Sequence, residues 1–223
     1  FEYTENIYAA YTSLAKDWKK WSLVLGLRGE YTDVKANSIT LGQVNTQAYT
    51  ELFPNATLQF NEDDNHQYSI NYKRGIQRPR YQSLNPYRYF LNENQFDAGN
   101  PELTRAIENK ISFDFTYKGT YIFSAYYQHF NNNLEQLTFQ DNANRLLLTS
   151  DFNIDQTFQY SLDFTYYSYV KDWWFVSTYM SGFYLQNNFT GLQSDNTDEQ
   201  NNTNGYFAQL FNQYTLSQKG ALY

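Results

Sequence analysis

Residues 18–31 read WKKWSLVLGLRGEY, and the two parities of that run differ in chemistry. Trp21, Leu23, Leu25, Leu27 and Tyr31 lie on one side of an extended chain, and Ser22, Val24, Gly26, Arg28 and Glu30 on the other. Because side chains alternate across a strand, the segment predicts a strand with one apolar face, aromatic near each end, and one face bearing charge. The device recurs. A first strand is predicted over Tyr3–Leu14, turning through Ala15-Lys16-Asp17 into the second. The pattern dissolves into Asn, Ser, Thr, Gly and Gln over 33–49, which predicts a polar loop, and resumes with Ala56, Leu58 and Phe60 against Thr57 and Gln59. A tight turn at Glu62–Asn65 leads to a fourth strand marked by Tyr68, Ile70, Tyr72 and Ile76.

A long connection then runs from Arg78 to Ala106; its Pro79, Pro86 and Pro101 place it outside a sheet interior. Ile111, Phe113, Phe115 and Tyr117 mark strand five, which turns at Lys118-Gly119-Thr120 into strand six, Tyr121–Phe139, where Tyr126-Tyr127 interrupts the parity. Strand seven covers Leu146–Tyr169, and Val170-Lys171-Asp172 turns it into strand eight, Trp173–Asn187. After a polar loop, Phe189–Asn204, a ninth strand spans Tyr206–Leu216, and Ala221-Leu222-Tyr223 has the look of a tenth. Both ends fall in mid-pattern, so the chain reads as part of a longer protein.

Short and long connections alternate strictly, as in outer-membrane barrels, whose short turns are periplasmic and whose long loops are extracellular. Trp18, Trp21, Trp173 and Trp174 all sit beside short turns, where an interfacial aromatic belt belongs. Composition strengthens the reading. The chain holds 23 Tyr, 18 Phe and 4 Trp in 223 residues, yet only 41% of it is hydrophobic. Aromatic girdles and a polar lumen explain both halves, whereas a soluble core is built on Leu, Val and Ile. The predicted fold is therefore all-β, an antiparallel up-and-down transmembrane β-barrel of which nine to ten strands are present, with 1–223 part of a single barrel domain; the alternative is an antiparallel soluble sheet with uneven loops. No apolar run reaches the roughly 20 residues of a membrane helix. The absence of Cys removes disulfides and thiolate metal sites, and a net charge of -7 argues against nucleic acid.

Five segments carry a family resemblance: FEYTENIYAAY at 1–11, GLRGEYT at 26–32, LFPN at 52–55, RPRYQSLNPY at 78–87 and GNPEL at 99–103. In this order and spacing they resemble the barrel region of TonB-dependent outer-membrane receptors of the Bacteroidetes type, 22-stranded barrels with an N-terminal plug. The resemblance covers the first half of the chain; beyond Lys118 only the strand rhythm continues it. It implies energy-coupled import of a scarce nutrient such as a siderophore, glycan or peptide. The implied partners are outer-membrane lipid, the plug of the same protein, a periplasmic TonB-type coupling protein, a surface lipoprotein and the imported small-molecule, glycan or peptide ligand. A structural, assembly or secretion barrel and a passive porin are the competing functions.

Candidate sites follow from chemistry. The 78–106 connection offers Arg78, Arg80, Tyr81, Asn85, Tyr87, Arg88, Tyr89 and Asn100 for charge-assisted hydrogen bonds and stacking to an external ligand, set against a purely architectural role for Asn85-Pro86 and Asn100-Pro101, which favour turns. Arg28, Glu30, Lys73 and Asp114 fall on the polar parity and are predicted to face the lumen as a paired, solvated wall, set against a role in lining the import path or touching the plug. Asp195, Asp198 and Glu199 lack the spacing of a calcium loop and read as solvated. His66 and His129 have no accompanying nucleophile motif, so no enzyme is predicted, and neither a cofactor nor a metal.

Overall fold

The computed structural model describes residues 1–39, 42–190, 198–217 and 220–222. Four strands come first: β1 (Glu2–Trp18), β2 (Trp21–Ser38), β3 (Gln43–Asn61) and β4 (His66–Gln77). A short helix, α1 (Tyr81–Leu84), and a small hairpin, β5 (Arg88–Asn92) and β6 (Gln95–Ala98), intervene before β7 (Ala106–Tyr117). The rest is β8 (Tyr121–Asp141), β9 (Leu146–Lys171), β10 (Trp174–Thr190), β11 (Asp198–Ser217) and β12 (Gly220–Leu222). Apart from β5 and β6, each strand pairs antiparallel with its neighbour in sequence, so ten strands form one up-and-down sheet with β1 and β12 at its ends. Among the described residues no helix is long and apolar enough to cross a membrane.

The two parities resolve into two faces. Tyr31, Leu27, Leu25 and Trp21 of β2 sit opposite Tyr8, Thr12, Leu14 and Trp18 of β1. Tyr8 and Trp18 are ten positions apart on β1, which matches a tilted crossing of about 9–11 residues. The apolar face continues through Ile70, Phe113, Ala125 and Leu162, which lie in one register row across four strands. Leu25, Ile70, Phe113 and Leu162 are all well exposed, Leu162 at 70%. The polar face carries Ser69, Asp114, Ser124 and Asp163 in the neighbouring row. The interrupted parity of strand six is resolved here: Tyr127 lies on the apolar face against Tyr160, ring centres 5.1 Å apart, while the Tyr126 hydroxyl accepts a hydrogen bond from Gln159 on the polar face.

Several predicted connections are in fact strand. β2 and β3 stay paired from Trp21↔Phe60 to Ser38↔Gln43, so the loop predicted over 33–49 is the far half of a hairpin. Its alternation survives in a different alphabet: Thr32, Val34, Ala36 and Ser38 are buried, Asp33 and Lys35 exposed and Asn37 half-buried. The reason is that these residues face protein rather than lipid. At the other end the strands also overrun the predicted turns. Ala15, Lys16 and Asp17 belong to β1 and the reversal is at Lys19-Lys20; β9 continues to Lys171 and turns at Asp172-Trp173. The Phe189–Asn204 loop shrinks likewise, β10 reaching Thr190 and β11 beginning at Asp198; Asp195 lies outside the described residues. The turns at Glu62–Asn65 and Lys118-Gly119-Thr120 fall as expected, with Lys118 and Gly119 at φ 54 and 61. Strand β9, 26 residues long, extends about 85 Å at about 3.3 Å per residue, far more than a bilayer requires.

The connection between β4 and β7 is also not a loop alone. β6 pairs in parallel with the far end of β9 through Gln95↔Leu147, Phe96↔Leu148 and Asp97↔Thr149. A second, smaller sheet of order β5-β6-β9-β8 thereby forms at the long-hairpin end.

Candidate functional site

Residues 78–105 fold back over the polar face as a strap, and its two ends are fastened by two carboxylates. Glu30 of β2 and Glu51 of β3 are direct cross-strand partners. Like charges in that position repel, so each needs compensation. Glu30 takes Arg28 at 2.7 Å and Arg78 at 2.6 Å; Glu51 takes Arg74 at 2.8 Å and Arg105 at 2.6 Å. Arg78 also donates to the Thr32 hydroxyl at 3.0 Å and the Tyr49 hydroxyl at 3.3 Å, and Arg105 lies over the Tyr49 ring at 3.9 Å. Burial alone would lower the Arg78 guanidinium, but its bonds to Glu30 and Tyr49 prevail and hold it above its ordinary value. Burial beside Glu5 pushes the neighbouring Tyr3 phenol up to about 12.

Inside the strap, amides do the fastening. Asn45 donates to the Pro101 carbonyl at 2.5 Å and Gln47 to that of Leu103 at 3.1 Å. Asn153 both accepts from the Thr104 amide at 2.9 Å and donates to its carbonyl at 3.0 Å. Leu84, Phe96 and Leu103 are the buried apolar pins, Leu103 at 1% exposure. Asn85 and Asn100 each accept, through the side-chain oxygen, the amide two residues on, at 3.2 and 2.9 Å, which is how the two Asn-Pro pairs turn the chain. Gly99 packs so tightly beneath that turn that a Cβ would sit 2.4 Å from the Asn85 carbonyl oxygen.

Between the strap and the small sheet lies a cavity of about 780 Å³. Arg80, Tyr81, Asn85, Tyr87 and Tyr89 line it, and Arg78 contributes at its base. Two of the residues expected to serve a ligand stand elsewhere. The Arg88 guanidinium lies over the Phe96 ring at 4.9 Å, and Asn100 holds the Asp151 carbonyl at 3.3 Å. The opposite wall, from Asp97, Leu134, Gln136, Thr149 and Asp151, has no counterpart among the sequence candidates. The length of the strand predicted over Leu146–Tyr169 was the available signal, since its distal half has to do something other than cross a membrane.

The remaining candidates are placed as follows. Arg28 and Glu30 pair with each other, and Lys73 pairs with Glu108 at 3.3 Å. Asp114 accepts from Ser124 at 2.6 Å and Asn71 at 3.0 Å. Trp18 and Trp21 face each other across the first turn; Trp173 and Trp174 have ring centres 6.3 Å apart, and Trp174 donates to Asn212 at 3.0 Å. His66 meets Asp63 at 2.9 Å in its turn, and His129 stacks on Phe158 at 4.5 Å. Asp198 and Glu199 lie in β11, and among the described residues no cluster of His, Cys, Asp and Glu is suited to a metal ion.

A sheet of successive antiparallel strands, one face exposed and apolar with aromatic borders, the other polar and paired, is the wall of a transmembrane β-barrel. The chain belongs to the outer membrane protein beta-barrel family, which it matches over residues 1–222, and is an outer-membrane protein. Its fold is shared with the copper transporter OprC (TM-score 0.59, 12% identity, 97% of this chain and 41% of that one). The siderophore receptor PirA from Pseudomonas aeruginosa (0.50, 10%, 97% and 52%) and the FrpB iron transporter from Neisseria meningitidis (0.51, 13%, 96% and 39%) share it too. The chain thus spans about two-fifths to a half of the length of these structures. No curated protein matches it in sequence.

Proposed function

We propose that this chain is wall and outer rim of a TonB-dependent receptor of the Bacteroidetes type, a 22-stranded barrel that imports a scarce nutrient by energy coupled from the inner membrane, and that it performs no covalent chemistry. The observation that carries the reading is the strap: a segment pinned by paired carboxylates to the polar face, enclosing a cavity of about 780 Å³ at the end where the hairpins are long. In a barrel of this kind the polar face is the lumen and the long-hairpin end is extracellular, so the cavity stands at the outer mouth. A plain porin needs an open lumen; a strap held across the wall suits capture before transport. Arg80, Tyr81, Asn85, Tyr87 and Tyr89 supply the capturing contacts, while Arg28, Glu30, Lys73 and Asp114 line the lumen towards the plug. Trp18, Trp21, Trp173 and Trp174 mark the periplasmic interface.

The test is growth-limiting uptake in cells with and without the periplasmic coupling protein. Uptake should vanish without it and fall when Tyr87 and Tyr89 are both changed to Ala. Uptake that persists without the coupling protein would return the chain to the porins.

A further inference from the structure

The small sheet at the outer mouth is unfinished. Its cavity-side row reads Thr138, Thr149, Asp97, Tyr89 across β8, β9, β6 and β5, each in register with the next. The two threonine hydroxyls are 3.3 Å apart. The row stops at Tyr89. Among the described residues β5 pairs with β6 alone, and no other backbone hydrogen bond reaches residues 88–92. All five residues of β5 are exposed, with Tyr89 at 64% and Phe90 at 59%.

We infer that this edge receives an extended peptide, which adds as a fifth strand to β5 and sends every second side chain into the cavity. The inference rests on the proposed role of that cavity in capturing the imported ligand. Three features select a peptide. A bare strand edge presents amide donors and carbonyl acceptors at a spacing that only another backbone repeats. Tyr87 and Tyr89, two residues apart, both line the cavity, so the alternate side chains of an added strand meet a ready-made aromatic floor. The cavity also holds the Arg80 guanidinium and the Asp97 and Asp151 carboxylates, none in an ion pair among the described residues, and these suit the carboxylate and ammonium groups that a peptide brings. Neutral oligosaccharides and metal chelates lack the repeating amide spacing that a strand edge matches.

The test incubates the detergent-purified full-length protein with a pool of synthetic hexapeptides, identifies retained peptides by mass spectrometry, and resynthesises the best of them with N-methyl groups on either its odd or its even amides. Only alternate amides of an added strand face its partner. N-methylation of one parity should weaken binding by about tenfold or more and of the other only slightly, since each set removes or spares main-chain hydrogen bonds. This readout uses the unaltered protein, so no folding defect can imitate it. Tyr89→Ala should weaken the same peptide. Equal effects of both parities would overturn the inference, as would failure to retain any peptide, or a dimer of the protein that forms through β5. Coupling-dependent uptake of a non-peptide nutrient, with no peptide retained, would overturn the peptide and leave the transport proposal standing.

Discussion

Two glutamates facing each other across adjacent strands would ordinarily weaken a sheet, and here they moor the two ends of the strap. Glu30 and Glu51 each hold two arginines, one guanidinium from the strap and one from the wall. Glu51→Gln leaves Arg74 and Arg105 half-buried and short of a counter-charge, a change that costs on the order of 3 kcal/mol where such pairs are buried. The expected result is faster amide hydrogen exchange across 99–106 with exchange of the β8–β9 pairing unchanged. Gly99→Ala forces a Cβ against a backbone oxygen, and should lower stability by about 1–3 kcal/mol in urea titrations in lipid and open the Asn85 turn to protease. A third residue-scale effect concerns pH. Hydrogen bonds from the Asn65 amide and the His66 side chain hold Asp63 below the usual carboxylate range, and the Asn144 side chain and amide do the same for Asp141. Both folded values lie below the unfolded ones. The stability they confer is therefore complete above the ordinary carboxylate value and disappears as pH falls through their lowered values. Protection of the Asn65 and Asn144 amides, taken as exchange relative to the intrinsic rate at each pH, should be lost only in that acid window, and Asp63→Asn and Asp141→Asn should remove the transition.

At the scale of elements, the sequence was most legible where the strand borders lipid. Leu23, Leu25 and Leu27 against Val24, Gly26 and Arg28 announce a two-sided strand because lipid on one side and water on the other impose a sharp contrast. Leu162→Arg places a charge on the face opposite Asp163 and should cost about 2–4 kcal/mol in refolding into lipid vesicles, whereas Asp163→Asn on the polar face should cost far less. The contrast fades where both faces are polar. Thr32, Val34, Ala36 and Ser38 still alternate with the polar Asp33, Lys35 and Asn37, but a strand buried beneath a strap needs small side chains rather than large aliphatic ones, so its pattern resembled a loop. The turns moved for a related reason. Two-residue reversals such as Lys19-Lys20 carry no Gly or Pro, and the charged residues before them belong to strand ends in the interface.

For the whole molecule, the prolines at 79, 86 and 101 correctly kept the strap out of the wall but concealed a helix and a hairpin that complete a second sheet. The aromatics of the cavity were visible in the strap itself, since Tyr81, Tyr87 and Tyr89 stand close together in sequence. The partner wall was not, because Gln136, Thr149 and Asp151 reach the cavity only through a parallel pairing of β6 with β9 some fifty residues distant. Both ends of the strap are tied to points that lie side by side on a single hairpin, β2–β3, so a bend in that hairpin displaces the two moorings together. The middle of the strap is moored separately, on β9, through the β6–β9 pairing and the two bonds between Asn153 and Thr104. A bend of that hairpin relative to β9 would therefore change the width of the cavity between them without first breaking an ion pair.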